Sequence, residues 1–178
     1  MTKVVINLCG VKSKGGVTVF NNYLEQNKTK NLYVLYDNLE FKKYIENFDN
    51  QYITTKRIYH PFLNLLLNKE IKEKINSYDY VIHFGNFGFK TNIKSYTLIQ
   101  NILPLVKPFS SFRNFVLNLL YKYAFKISDK IIVQQKHVEE LIPNQYPTKI
   151  IGSIEMKTIK QSNSQGFVTI YDENKNKN

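Results

Sequence analysis

A chain of 178 residues suits a single domain and is long enough to bury a sizeable core. Its 43% hydrophobic residues argue against disorder, and a lone cysteine forbids an intramolecular disulfide, so a reducing cytoplasm is the expected compartment. The net charge of +11 points to phosphate-bearing partners, whether nucleic acid, anionic lipid or nucleotide, although abundant Asn, Lys, Ile and Tyr with no Trp also reads as an AT-rich coding bias.

In chain order, residues 3–9 form an apolar run that reads as a first strand. It is interrupted at Asn7 and closed by a glycine turn, so it does not read as a secretory signal, and no later stretch approaches the ~20 apolar residues of a membrane span. From residue 17 onward Val17, Phe20, Tyr23 and Leu24 recur at helical spacing as one buried face. Residues 31–36 make a second strand ended by the turn formers Asp37 and Asn38, and the resulting βαβ unit predicts a parallel sheet covered by helices. A short helix up to Phe48 and a weak strand around 52–59 are expected next. A helix from Pro61 to about Asn76 carries Leu63, Leu67, Ile71 and Ile75 in steps of four, and strands follow at 80–84 and 95–100. After a loop marked by Pro104 and Pro108, a longer helix gathers Phe112, Phe115, Val116, Leu119, Leu120, Tyr123 and Ile127 into an apolar stripe. Strands at 130–134 and 148–151 flank a short helix containing Val138, Leu141 and Ile142. Residues 1–156 are thus read as one Rossmann-like domain and 157–166 as a polar linker. Residues 167–178 are read as the first strand of a missing second domain, or as an addition to an edge of the first sheet.

The chemistry lies in the turn Gly10-Val11-Lys12-Ser13-Lys14-Gly15-Gly16. The first amides of a helix have no carbonyl partner and point at whatever precedes them, so a strand, a glycine turn and a helix together make a site suited to phosphate. Gly15 and Gly16 are expected either to take positive φ or to let another group approach closely. The ATPase phosphate loop G-x-x-x-x-G-K-[ST] matches Gly10 and Gly15 but fails at Gly16 and Val17. The partition-type variant matches Lys14-Gly15-Gly16-Val17 but fails at Val19 and Phe20, and G-x-G-x-x-G has no match, which disfavours a nicotinamide or flavin site. What is left is a phosphate-tolerant turn without a catalytic side chain, or a turn that serves the fold alone.

His60, His83 and His137 show no metal-ligand spacing, and with one cysteine no metal site is expected. His83 closes a predicted parallel strand, where such sheets bind ligands, and the competing reading is a satisfied core histidine. Residues 105–130 join an aromatic stripe to Lys107, Arg113, Lys122, Lys126 and Lys130, which reads either as an interfacial helix on anionic lipid or as a core-facing helix with a basic outer side.

Taken together, Ile6-Asn7-Leu8-Cys9-Gly10 with Gly15-Gly16-Val17, Tyr78-Asp79-Tyr80-Val81-Ile82-His83 with its glycine loop, Ile99-Gln100-Asn101 with Pro104, and Ser128-Asp129-Lys130-Ile131-Ile132-Val133-Gln134 resemble, in order and spacing, the N-terminal domain of GT-B glycosyltransferases of family 4. The resemblance covers nearly the whole chain. It implies an acceptor-binding half of an enzyme that moves sugar from a nucleotide sugar to a glycan or lipid-linked acceptor, with no further cofactor. It also implies that Gly15, Gly16 and Val17 face the donor diphosphate, and that Lys14, Asn86, Gln100 and Gln135 lie on the acceptor side. His83 and Asn101 are the catalytic candidates. Asn101 stands near the place where many members carry a histidine, and Gln135 where many carry a serine. The paired glutamates of the second half have no counterpart, so the chain alone is expected to be inactive. Work at the inner membrane face is compatible with this reading, and nucleic acid is not an expected partner. The alternative from another class is a non-catalytic basic module that binds nucleic acid or anionic membrane.

Overall fold

Seven short strands lie side by side in one parallel sheet in the computed structural model, which describes residues 2–27, 31–45, 51–54 and 69–150. They are β1 (Lys3–Asn7), β2 (Asn31–Tyr36), β3 (Gln51–Thr54), β4 (Tyr80–His83), β5 (Lys94–Ile99), β6 (Lys130–Val133) and β7 (Thr148–Ile150). Their order across the sheet is β3-β2-β1-β4-β5-β6-β7, and every pairing is parallel. Helices join them: α1 (Lys14–Gln26), α2 (Lys42–Ile45), α3 (Lys69–Asn76), α4 (Leu103–Val106), α5 (Phe112–Ile127) and α6 (Lys136–Glu139). The α/β, Rossmann-like architecture expected from the alternating pattern is the one found.

The central strands are continuous apolar runs because both of their faces are covered. Alternate residues of β1 therefore go to opposite layers. Val4 and Ile6 join Phe20 and Leu24 of α1 and Phe41 on one side, while Val5 joins Tyr33, Ile75 of α3 and Phe89 on the other. Farther along that second side, Ile99, Ile131 and Val133 pack against Tyr121 and Phe125 of α5 and Val138 of α6.

Two expectations need correction. The first helix begins at Lys14, not at Val17, because Ser13 caps it: its Oγ accepts the amide of Gly16 at 3.1 Å, which draws both turn glycines into the helix. Of the two readings of α5, the core-facing one also fails, because its apolar stripe faces outward. Its buried residues are Asn114, Tyr121, Ala124 and Phe125, while Phe112, Phe115, Val116, Leu119 and Tyr123 are exposed. The helix is apolar on two opposite sides, and the larger stripe is the outer one. The expected short helix before Phe48 is found as Lys42–Ile45, while its end at Phe48, the strand beyond Thr54, the start of a helix at Pro61, the linker at 157–166 and the strand at 167–171 lie outside the described residues.

Candidate functional site

In a doubly wound parallel sheet, ligands settle outside the carboxyl ends of the strands where the strand order reverses. Here β2 and β3 lie to one side of β1 and β4 to β7 to the other, so the reversal falls between β1 and β4. The loop after β1 forms one wall of that crevice. Gly10 takes the left-handed conformation at φ 82° and donates its amide to Asp37 Oδ1 at 3.0 Å, while the Val11 amide returns to the Leu8 carbonyl at 3.0 Å. The positive φ expected of Gly15 or Gly16 therefore belongs to Gly10.

Gly16 is required for the other reason weighed, close approach. A Cβ there would stand 2.3 Å from Cγ1 of the buried Val11, 3.3 Å from Ser13 Oγ and 3.7 Å from Gln100 Oε1. The start of α1 and the end of β5 are thus neighbours across the crevice. Of the leading amides of α1, that of Gly16 is taken by Ser13 Oγ and that of Val17 by the Ser13 carbonyl at 3.2 Å. The amides of Lys14 and Gly15 have no helical carbonyl to meet. They are the donors the turn can offer to an anion, with the exposed Lys14 side chain beside them.

The opposite wall is held by Asn86. Its backbone is left-handed at φ 68°, a conformation Asn tolerates, and its Oδ1 accepts the amides of Gln100 at 2.6 Å and of Asn101 at 2.8 Å. Asn86 is therefore committed to shaping the loop. Asn101 Oδ1 in turn accepts the Leu103 amide at 3.1 Å and opens α4, and the Asn101 carbonyl accepts the Tyr121 hydroxyl at 2.9 Å. Burial pushes the Tyr121 phenol well above the usual tyrosine range, so it stays a donor.

His83 lies beneath this surface. Its ring has no exposed area, Phe89 meets it edge-on at 4.9 Å, and a Cβ at Gly88 would fall 2.3 Å from the ring. Asn7, directly opposite in the strand register, accepts the Cys9 amide at its Oδ1 and so turns its Nδ2 toward His83 Nδ1, 3.0 Å away. In the neutral ring Nδ1 is the acceptor and the proton sits on Nε2. The geometry is that of a core histidine. Gln135 is half-buried one strand farther on, at the N-terminus of α6, where its side chain makes no capping bond. The structure thus gathers Gly16, Gln100, Asn86 and Asn101 around one crevice and leaves His83 under it. Two residues were not named as site candidates from the sequence: Asp37, read only as a turn former, which fixes Gly10, and Gln134, whose Oε1 is buried without a hydrogen-bond partner among the described residues. An acid in the turn after β2 was the one signal available for Asp37.

No protein-family model matches the chain, and no curated protein sequence matches it significantly. Solved structures do. UGT2 of Phytolacca americana, complexed with UDP-2-fluoro-glucose and pterostilbene, aligns with a TM-score of 0.54 at 10% identity over 86% of this chain and 55% of that one. A UGT transferase of Siraitia grosvenorii in complex with UDP aligns with a TM-score of 0.50 at 12% identity over 86% of this chain and 51% of that one. The chain spans about half the length of these structures, and what it shares with them is the glycosyltransferase-like Rossmann fold.

Proposed function

We propose that this chain is the acceptor-binding half of a GT-B glycosyltransferase of the family-4 kind, moving a sugar from a nucleotide sugar to a glycan or lipid-linked acceptor. The observation that carries the reading is the pairing of two features. The fold aligns with nucleotide-sugar transferases, and Lys14 and Gly15, whose amides have no helical carbonyl to meet, start α1 in the turn after β1, next to the switch point between β1 and β4. In such a transfer the anomeric carbon leaves a diphosphate oxygen for an acceptor hydroxyl, and negative charge grows on the departing diphosphate. Backbone N–H groups already aimed at that charge stabilise it without reorganising. Gln100 and Asn101, at the end of β5, supply amide groups suited to sugar hydroxyls, with Gln135 beyond them. His83 acts in this scheme by holding Asn7 and the end of β1. Charge neutralisation on the nucleotide side belongs to a second half, in the same chain or a separate one.

The test is to join or co-express this chain with a nucleotide-sugar-binding half and measure turnover of UDP- and other nucleotide sugars. Turnover is expected with the joined protein and not with the 178-residue chain alone. Gln100→Ala should lower the rate by about tenfold or more, as the loss of one well-placed polar contact does. A well-folded joined protein that turns over no donor with any acceptor overturns the proposal.

A further inference from the structure

The outward side of α4 and α5 is the largest apolar feature the described residues leave uncovered. Phe109 and Phe112 are each 82% exposed, and Phe109 stacks on Phe115 with ring centroids 6.0 Å apart, so the tip is an aromatic knob in solvent. At ~100° per residue, Phe112, Val116, Leu119 and Tyr123 fall in one narrow sector of α5, opposite the buried Asn114, Tyr121 and Phe125. Leu103 and Val106 of α4 continue the surface, and Asn118 Nδ2 fixes the two helices together by donating to the Pro104 carbonyl at 2.9 Å. Exposed apolar surface on this scale marks an interaction site.

Charge identifies the occupant. Residues 101–128 contain Lys107, Arg113, Lys122 and Lys126 and no Asp or Glu, and all four basic side chains are exposed. Arg113 and Lys122 fall on the two flanks of the apolar sector. A second copy of the chain would bring like charges together across such a face. An anionic lipid surface satisfies both parts, taking the aromatic and aliphatic side chains into its interfacial layer and the basic flanks against its headgroups. Among the described residues no helix is long and apolar enough to cross a membrane, so the contact is peripheral. We infer that the outer face of α4 and α5 is a docking surface for anionic membrane. α4 starts two residues after Asn101, which places the docking surface beside the crevice. A lipid-linked acceptor would then enter from the membrane directly. That last step rests on the transferase reading, whereas the membrane contact does not.

The experiment is vesicle co-flotation of the full chain. The probes are phosphatidylcholine alone and phosphatidylcholine with phosphatidylglycerol at about two to one, each at low and high salt. Binding is expected on the anionic vesicles and should weaken with salt. Phe109→Ser/Phe112→Ser should reduce it about tenfold or more, and Lys107→Gln/Arg113→Gln about 25-fold, roughly fivefold for each charge removed. All four side chains are exposed, and circular dichroism checks that the variants remain folded. Absence of binding to anionic vesicles overturns the inference. So does binding that ignores the Phe substitutions, which would reduce it to attraction by net charge. Self-association that the Phe substitutions abolish, without vesicle binding, would assign the face to a second copy instead. Vesicle binding without sugar transfer in the joined protein would leave the docking surface standing and remove the transferase reading.

Discussion

At the scale of single residues, the glycine turn was legible as important, and the reason differs between Gly10, which opens it, and Gly16, which closes it. A left-handed bend was needed, and Gly10 provides it, tied by Asp37. Gly16 is instead a matter of space. Gly16→Ala would gain from the better helix propensity of alanine, up to ~1 kcal/mol. It would also force a methyl to within 2.3 Å of Val11 Cγ1, and Val11 is itself buried under the turn. Overpacking of this kind costs about 1–3 kcal/mol and should win. Urea unfolding of Gly16→Ala is therefore expected to show a lower midpoint with an unchanged slope, and a midpoint equal to the wild type would mean that Val11 swings aside freely. His83 teaches the complementary lesson. Its place at the end of β4 and its reading as a core histidine could both be drawn from the sequence, but the groups that close the ring in could not, because Gly88 and Phe89 come from the loop that follows.

At the scale of elements, the length of α5 was legible from its periodicity and its orientation was not. A pattern of apolar residues identifies a stripe, but the core selects a face by shape as well as by hydrophobicity. Here Ala124 lets the helix approach the sheet, and Tyr121 and Phe125 fill the space beside Ile131 and Val133. Tyr121 also keeps its polar end satisfied in the buried position, through the Asn101 carbonyl. Tyr121→Phe leaves that carbonyl without its donor and should cost about 1–2 kcal/mol near neutral pH. The pH dependence follows from the direction of the shift. Burial raises the folded phenol above its unfolded value near ~10, so the fold binds this proton more tightly than the unfolded chain does. The stability it lends is complete below about pH 10 and falls as pH rises beyond that value. Unfolding midpoints measured between about pH 8 and 11 should decline for the wild type and decline less for Tyr121→Phe. Parallel declines would assign the alkaline limb to other buried tyrosines, of which Tyr78 is also raised by burial.

At the scale of the whole molecule, the alternation of apolar runs and helical patterns revealed the parallel sheet, because a strand covered on both faces cannot hide its hydrophobicity. The order of the strands is a long-range property that no local pattern encodes. It is this order that places the end of β5 beside the start of α1 and so makes a crevice from Gly16, Asn86, Gln100 and Asn101, residues far apart in the chain. It also sets where opening is easiest. β1 is bonded to β2 and β4, and β4 to β1 and β5, whereas β7 is bonded to β6 alone among the described residues. Amides flanked by strands on both sides under two covered faces exchange only through large openings, and edge amides exchange through local ones. Hydrogen exchange should therefore be slowest at Val5, Ile6, Val81 and Ile82, intermediate in β6, and fastest in β7. Protection of β7 equal to that of β1 would contradict this ranking. It would mean that another strand covers that edge, and the apolar run at 167–171 would then belong to this sheet and not to a second domain.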